Sequence, residues 1–163
     1  MALLAGVQEQ LAAEDLGVAG ITSPKISRGE NYRGLPYVVL DYPRLSKGDD
    51  LLFVRSLFWW GHFFSCTLQV AGRFKEENLW RIATTYEKLA RQDFYVGVDR
   101  DPWQHHFETS NYQKISDLGK EDFFSILQQQ PHIKIAARWP LSEWDAAANL
   151  LVDRWKYLMD LVS

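Results

Sequence analysis

Between residues 35 and 71 the chain is dominated by β-branched, aromatic and leucine side chains, with proline and glycine spaced along it at Pro36, Pro43, Gly48 and Gly61. Pleated strands prefer such residues. One helix across 51–71 is the competing reading. It would bury Gly61 in its middle, and no polar stripe at 3.6-residue spacing supports it. The stretch therefore reads as three strands, 35–43, 51–60 and 62–71, joined by a turn at 44–50 and a break at Gly61. Strands in succession without a crossover helix imply antiparallel pairing.

Two turn centres set two registers. A first turn on Lys47–Gly48 puts Asp41 opposite Arg55 within a residue or two. A second on Trp60–Gly61 puts Arg55 opposite Cys66. One face then carries Tyr37, Val39, Asp41, Leu51, Phe53, Arg55, Leu57, Phe64, Cys66, Leu68 and Val70. This reads as a core face holding one acid and one base, so Asp41 and Arg55 are expected to form a structural ion pair. The other face mixes Val38, Leu40, Tyr42, Leu52, Val54, Phe58 and Trp60 with Ser56, Ser65, Thr67 and Gln69. Too apolar for open water, it is expected to meet a loop, a ligand or a second copy of the chain, with Phe58 and Trp60 at the interface of a homodimer.

Outside the meander, 2–16 reads as a short amphipathic helix with Leu4, Val7 and Leu11 on one face. A loop follows at 18–34, with a short strand at 25–28. Residues 75–91 read as a helix on which Leu79, Ile82, Ala83, Tyr86 and Leu89 share a face. A strand at 94–98, a helix at 119–130 and an alternating strand at 132–139 come next. The last helix, 141–162, has Ser142 as its expected cap and Leu141, Trp144, Ala148, Leu151, Trp155, Leu158 and Val162 as its apolar stripe. The resulting fold class is α+β. It is a mainly antiparallel sheet of about four to six strands, with a central meander at about 35–72 and helices 75–91 and 141–162 on one face, in one domain spanning 1–163.

Composition narrows the function by exclusion. Of 163 residues, 47% are hydrophobic, an ordinary globular balance, and the net charge is −3. No basic run offers a phosphate backbone enough counter-charge, so nucleic-acid binding is not expected. The single cysteine, Cys66, rules out an intrachain disulfide and a four-cysteine zinc site. Glu9, Glu14 and Asp15 break up the apolar character of the N-terminal region, so a signal peptide is not expected. No apolar run reaches the length of a membrane span. A cytoplasmic location is the expectation.

Two constellations suggest chemistry. Asp99, Asp101, His105, His106 and Glu108 place imidazoles near carboxylates. His105, His106 and Glu108 are candidate ligands for a transition metal, although no metalloenzyme spacing is matched and no cofactor is predicted. Arg28, Tyr32, Arg33, Tyr37, Tyr42 and Arg44 combine guanidinium and phenol groups, which suit a small anionic or sugar-like ligand. Cys66, on an apolar face, reads as an inert thiol. No catalytic signature appears, and the function is not assignable from these patterns alone. The sequence points to a non-enzymatic binding or interaction domain that self-associates. The alternative is a small hydrolase or metal-dependent enzyme using the Asp99–Glu108 cluster.

Overall fold

The computed structural model describes residues 2–13 and 24–162. Residues 14–23 of the expected N-terminal helix and loop lie outside that range. Among the described residues, seven strands form one antiparallel sheet: β1 (Lys25–Tyr32), β2 (Leu35–Lys47), β3 (Asp50–Trp59), β4 (Phe63–Ala71), β5 (Tyr95–Gly97), β6 (Tyr112–Lys114) and β7 (His132–Pro140). Their order across the sheet is β1-β2-β3-β4-β7-β5-β6. Five α-helices accompany them: α1 (Ala2–Ala12), α2 (Arg73–Thr84), α3 (Tyr86–Arg91), α4 (Lys120–Gln129) and α5 (Ala147–Asp160). The architecture is α+β, as the meander implies. The sheet is wider than expected because 25–28 is the start of the longer β1 and because the short β6 pairs outside β5.

In the first hairpin Asp41 stands directly opposite Arg55, as expected, although the turn closes on Gly48 and Asp49, between the paired Lys47 and Asp50, rather than on Lys47–Gly48. Pro43 does not end β2. A bulge between Asp41 and Arg44 takes it up, and the strand continues to Lys47. The second hairpin differs from expectation by one residue. Trp59 pairs with Phe63, leaving Trp60, Gly61 and His62 as the connection, with Gly61 at φ 76°. Glycine adopts that left-handed conformation without steric cost, so a three-residue loop forms where a two-residue one was expected. Arg55 therefore faces Thr67, and Cys66 faces Ser56.

Because side chains alternate, this single-residue slip moves all of β4 to the other side. Phe64, Cys66, Leu68 and Val70 join Leu52, Val54 and Phe58. Ser65, Thr67 and Gln69 join Phe53, Arg55 and Leu57. The expected mixed face does not exist. The sheet has instead an apolar side and a side carrying most of its polar groups.

All five helices contribute to the apolar side. Leu4, Val7, Leu11, Ile82, Leu89, Phe123, Leu127, Leu151, Trp155 and Leu158 pack with the strand residues into one buried cluster. The Trp155 indole N–H donates to the Tyr42 carbonyl at 2.6 Å, tying α5 to β2. The helix expected at 75–91 is two helices. Thr84 and Thr85 both donate their hydroxyls to the Arg81 carbonyl, a local competition that ends α2. The expected last helix also starts late. Residues Leu141–Ala146 wind as a 3-10 turn interrupted at Glu143 (φ −91°, ψ 19°), and Ser142 makes no capping bond. Trp144 thereby leaves the buried stripe and stands 47% exposed. No helix among the described residues is long and apolar enough to cross a membrane.

Candidate ligand-binding face

On the side of the sheet away from the helices, Tyr37, Val39 and Asp41 of β2 stand beside Phe53, Arg55 and Leu57 of β3. Ser65, Thr67 and Gln69 of β4 follow, then His132, Lys134, Ala136 and Arg138 of β7. The connection from β5 to β6, residues 98–111, lies across this face as a strap. Its Trp103 ring stacks on Phe53 (centroids 5.9 Å apart, 6° between planes). His105 sits against the rings of Tyr32 and Tyr37 at 4.9 and 5.1 Å. Phe107 packs into a second buried cluster with Trp59, Phe63 and Tyr112.

Asp41 is held by two arginines. Arg55 makes a two-point contact, Nε to Oδ1 at 2.7 Å and Nη2 to Oδ2 at 2.8 Å, and Arg44 Nη1 reaches Oδ2 at 3.2 Å. Fork-shaped guanidinium contacts of this kind fix direction as well as distance. Both guanidinium groups also lie over the Phe53 ring, at 5.1 and 5.6 Å. The pair is largely but not wholly buried, with side-chain exposures of 16% for Arg55 and 11% for Asp41. It forms the floor of a cleft of about 570 Å³ whose lining also includes Lys25, Arg28, Tyr37 and Arg44.

Beneath the strap lies a small chamber of about 20 Å³, whose walls include Arg55, Thr67, Gln69, His105, Tyr112 and Lys134. Lys134 is 3% exposed. Its ammonium donates to the Gln104 carbonyl at 3.1 Å and lies 4.8 Å from the centre of the Tyr112 ring. Among the described carboxylates it has no ion-pair partner. Asp99 and Asp101 act on it only from a distance. Burial, then the neighbouring Arg55 charge, pushes this ammonium down to about 8. His105 is pushed down to about 4, first by burial and then by the positive charges of Arg55 and Lys134, so it is neutral at pH 7. Burial raises the Tyr112 phenol. The Tyr32 hydroxyl fastens the strap. It accepts from the His105 backbone N–H at 3.0 Å and donates to Gln104 Oε1 at 2.9 Å.

The residues expected to bind a ligand are not one group. Arg28, Tyr37 and Arg44 line the open cleft. Tyr32 is engaged under the strap, and Arg33 pairs with Glu108 at 3.1 Å beside a separate cleft of about 690 Å³. Tyr42 is on the helix side, stacked on Trp155, because an odd number of positions separates it from Tyr37. The expected metal ligands also diverge. His105 faces the chamber, whereas His106 and Glu108 line the larger cleft. Burial, then Arg33, lowers the His106 imidazole. His106 Nδ1 accepts the Glu108 backbone N–H at 3.2 Å. Asp99 and Asp101 accept backbone N–H groups in their own turn. No group of three or more His, Cys, Asp or Glu residues among those described is placed to hold a metal ion.

Phe58 and Trp60, expected at an interface, lie at the hairpin tip. Phe58 is buried, and the exposed rings of Trp60 and Trp144 meet it edge-on at 4.7 and 5.1 Å. The chain's own helices cover the face that carries Phe58, so no second copy is needed to cover it. Cys66 is fully buried, and burial pushes its thiol up to about 12, so it is inert.

Lys134 and Lys25 were not among the sequence candidates. The 132–139 alternation does place Lys134 on the polar side of its strand. The missing signal was the length of the 98–111 connection, since adjacent antiparallel strands are usually joined by about two to five residues. No family model matches the chain, no curated protein matches its sequence, and no solved structure matches its fold at a significant level.

Proposed function

We propose that this protein is a non-enzymatic binding domain whose ligand is a small molecule bearing carboxylate or phosphate groups, a sugar acid or sugar phosphate included. One observation carries the reading. The open cleft over β1, β2 and β3 is lined by Lys25, Arg28, Arg44 and Arg55, with Asp41 the one carboxylate among its described lining residues, in a chain whose net charge is −3. Such local concentration of positive potential attracts anions against the overall charge. Asp41 and Phe53 hold the Arg55 and Arg44 forks in place, which reduces the ordering cost of binding. Lys25, in register with Asp41, forms no ion pair with a described carboxylate and stands at the rim, where an anionic group would meet it; Arg28, in register with Val38, borders the cleft from the edge strand. The Tyr37 ring supplies a flat wall and a hydroxyl.

The experiment is a melting-temperature screen of dicarboxylates, sugar phosphates, sugar acids and neutral sugars at constant ionic strength, run on the native chain and on Lys25→Ala/Arg28→Ala. Stabilisation by anionic members that drops at least ten-fold in apparent affinity in the double variant supports the reading. Stabilisation by neutral sugars alone, or by none of the set, ends it.

The hydrolase and metal-enzyme alternative has no comparable support, because among the described residues no three side chains of the Asp99–Glu108 stretch converge, although His106 Nδ1 and Glu108 Oε2 stand 3.5 Å apart. Self-association through Phe58 and Trp60 rests on the two exposed indoles beside Phe58. The lone, buried thiol of Cys66 is compatible with the reducing conditions of the cytoplasm, where we place the protein.

A further inference from the structure

A strap that served only to shield the sheet would rest on apolar side chains. Trp103 and Phe107 rest on such side chains and His105 lies against Tyr32 and Tyr37, but polar groups also lie beneath the middle of the strap. Beneath Gln104 and His105 the sheet presents Arg55, Thr67, Gln69 and Lys134. Burying a cation without a neutralising partner costs several kcal/mol, so an ordinary cover would not retain Lys134 there.

The surrounding fold makes room for this lysine. Gly97 of β5 is its cross-strand neighbour, and a Cβ at Gly97 would stand 2.8 Å from Lys134 Cβ. The absence of a side chain at Gly97 lets the lysine stem lie flat across β5. An ammonium has three N–H donors, and the Gln104 carbonyl takes one. That same carbonyl also accepts from Asn111 Nδ2 at 3.1 Å. The positive charges of Lys134 and Arg55 act on each other and on His105. The strap is fastened by side chains, with Trp103 stacked on Phe53 and Phe107 buried. Among the described residues, the backbone of 99–107 makes no backbone hydrogen bond to a strand, and side chains hold it down instead.

We propose that the chamber beneath the 98–111 strap is an anion site in its own right, in which one carboxylate or inorganic oxyanion sits between Lys134 and Arg55, with Thr67 and Gln69 as further polar contacts and the strap as its lid. The strap lifts to admit the anion, and the Lys134 N–H groups then point at the anion's oxygens. This site shares Arg55 with the open cleft but depends on Lys134, which the cleft does not use.

The test uses sodium phosphate and sodium acetate as probes at fixed ionic strength, with chloride as the control. Melting temperature is read for the native chain, Lys25→Ala/Arg28→Ala, Lys134→Met and Thr67→Val. Mass spectrometry follows acetylation of Lys134. The expected result has three parts. Lys25→Ala/Arg28→Ala keeps an anion response, and Lys134→Met loses at least ten-fold in apparent affinity without a lower melting temperature in the anion-free buffer. Bound anion slows acetylation of Lys134 at least three-fold. Thr67→Val, which keeps the lysine but removes the hydroxyl bonded to the Tyr112 phenol, weakens the response by a smaller factor. The proposal is overturned if Lys134→Met and Thr67→Val both keep the full response, if neither probe stabilises the Lys25→Ala/Arg28→Ala chain, or if bound anion leaves Lys134 acetylation unchanged. The cleft reading fails separately, when Lys25→Ala/Arg28→Ala leaves the screen above unaltered.

Discussion

The two sides of the sheet share the same strands and bury side chains of opposite character. On β4, Phe64, Cys66, Leu68 and Val70 point into the helices, and Ser65, Thr67 and Gln69 point under the strap. Both sets are buried. Burial alone therefore does not distinguish a core from a site. The helix side gains its stability from apolar area removed from water. The strap side adds a smaller apolar cluster around Trp59, Phe63, Phe107 and Tyr112, and beside it keeps polar groups that need partners.

The comparison breaks first if the two sides respond alike to truncation. Phe64→Ala should destabilise by about 3–5 kcal/mol, because it leaves a cavity against Trp139 and the helices. Ser65→Ala, one residue along, should stay within about 1 kcal/mol. Urea unfolding of both variants checks this, and equal losses would show that the strap side is ordinary core.

The next effect concerns Lys134. Its folded pKa of about 8 lies below the ordinary 10.5. Below pH 8 both folded and unfolded chains carry the proton, and the cost of burying the charge is fully present. Between pH 8 and 10.5 the unfolded chain binds more protons, so stability rises with pH. Relative to Lys134→Met, the native chain should gain up to roughly 3 kcal/mol across that window. Parallel stability curves for the two chains from pH 7.5 to 10.5 would show that the ammonium is not buried.

Arg55→Ala should cost about 2–3 kcal/mol, below the full loss for a deeply buried pair, because Arg44 still holds Asp41 and the carboxylate keeps some contact with solvent. Replacing both Asp41 and Arg55 with leucine should cost less than Arg55→Ala alone, since no charge is then stranded. A double-mutant cycle measures the difference.

The smallest effect tests the rim. Trp60→Ser should change stability by no more than about 0.5 kcal/mol. If two copies meet at the hairpin tip, light scattering should show a shift from dimer to monomer mass. A monomer mass for the native chain at micromolar concentration removes self-association through Trp60.

Much of this architecture is legible in local pattern. The aromatic and β-branched run from 35 to 71, broken at Gly48 and Gly61, specifies a meander. The apolar alternation puts Asp41 and Arg55 on one face, and the one-residue bulge at Pro43 sets them directly opposite each other. The steps of three and four along the last helix pick out Leu151, Trp155 and Leu158, which are buried. These features depend on neighbours in sequence: side-chain alternation, turn chemistry and helical period. By itself the sequence therefore determines the element types, the antiparallel pairing and the face that Asp41 and Arg55 share.

Tertiary structure decided which groups share a side. Whether the loop at Gly61 holds two residues or three is a small local choice, yet it sends every side chain of β4 to one face or the other. The competition is settled by packing, because only the three-residue loop lets Phe64, Leu68 and Val70 meet the helices. The site depends on the same kind of distant contact. Lys134 and Arg55 are far apart in sequence and on non-adjacent strands, and the strap that covers them belongs to a third region. Nothing local to His105 says that it will lie between Tyr32 and Tyr37, because that placement follows from the strap folding back across a sheet already assembled.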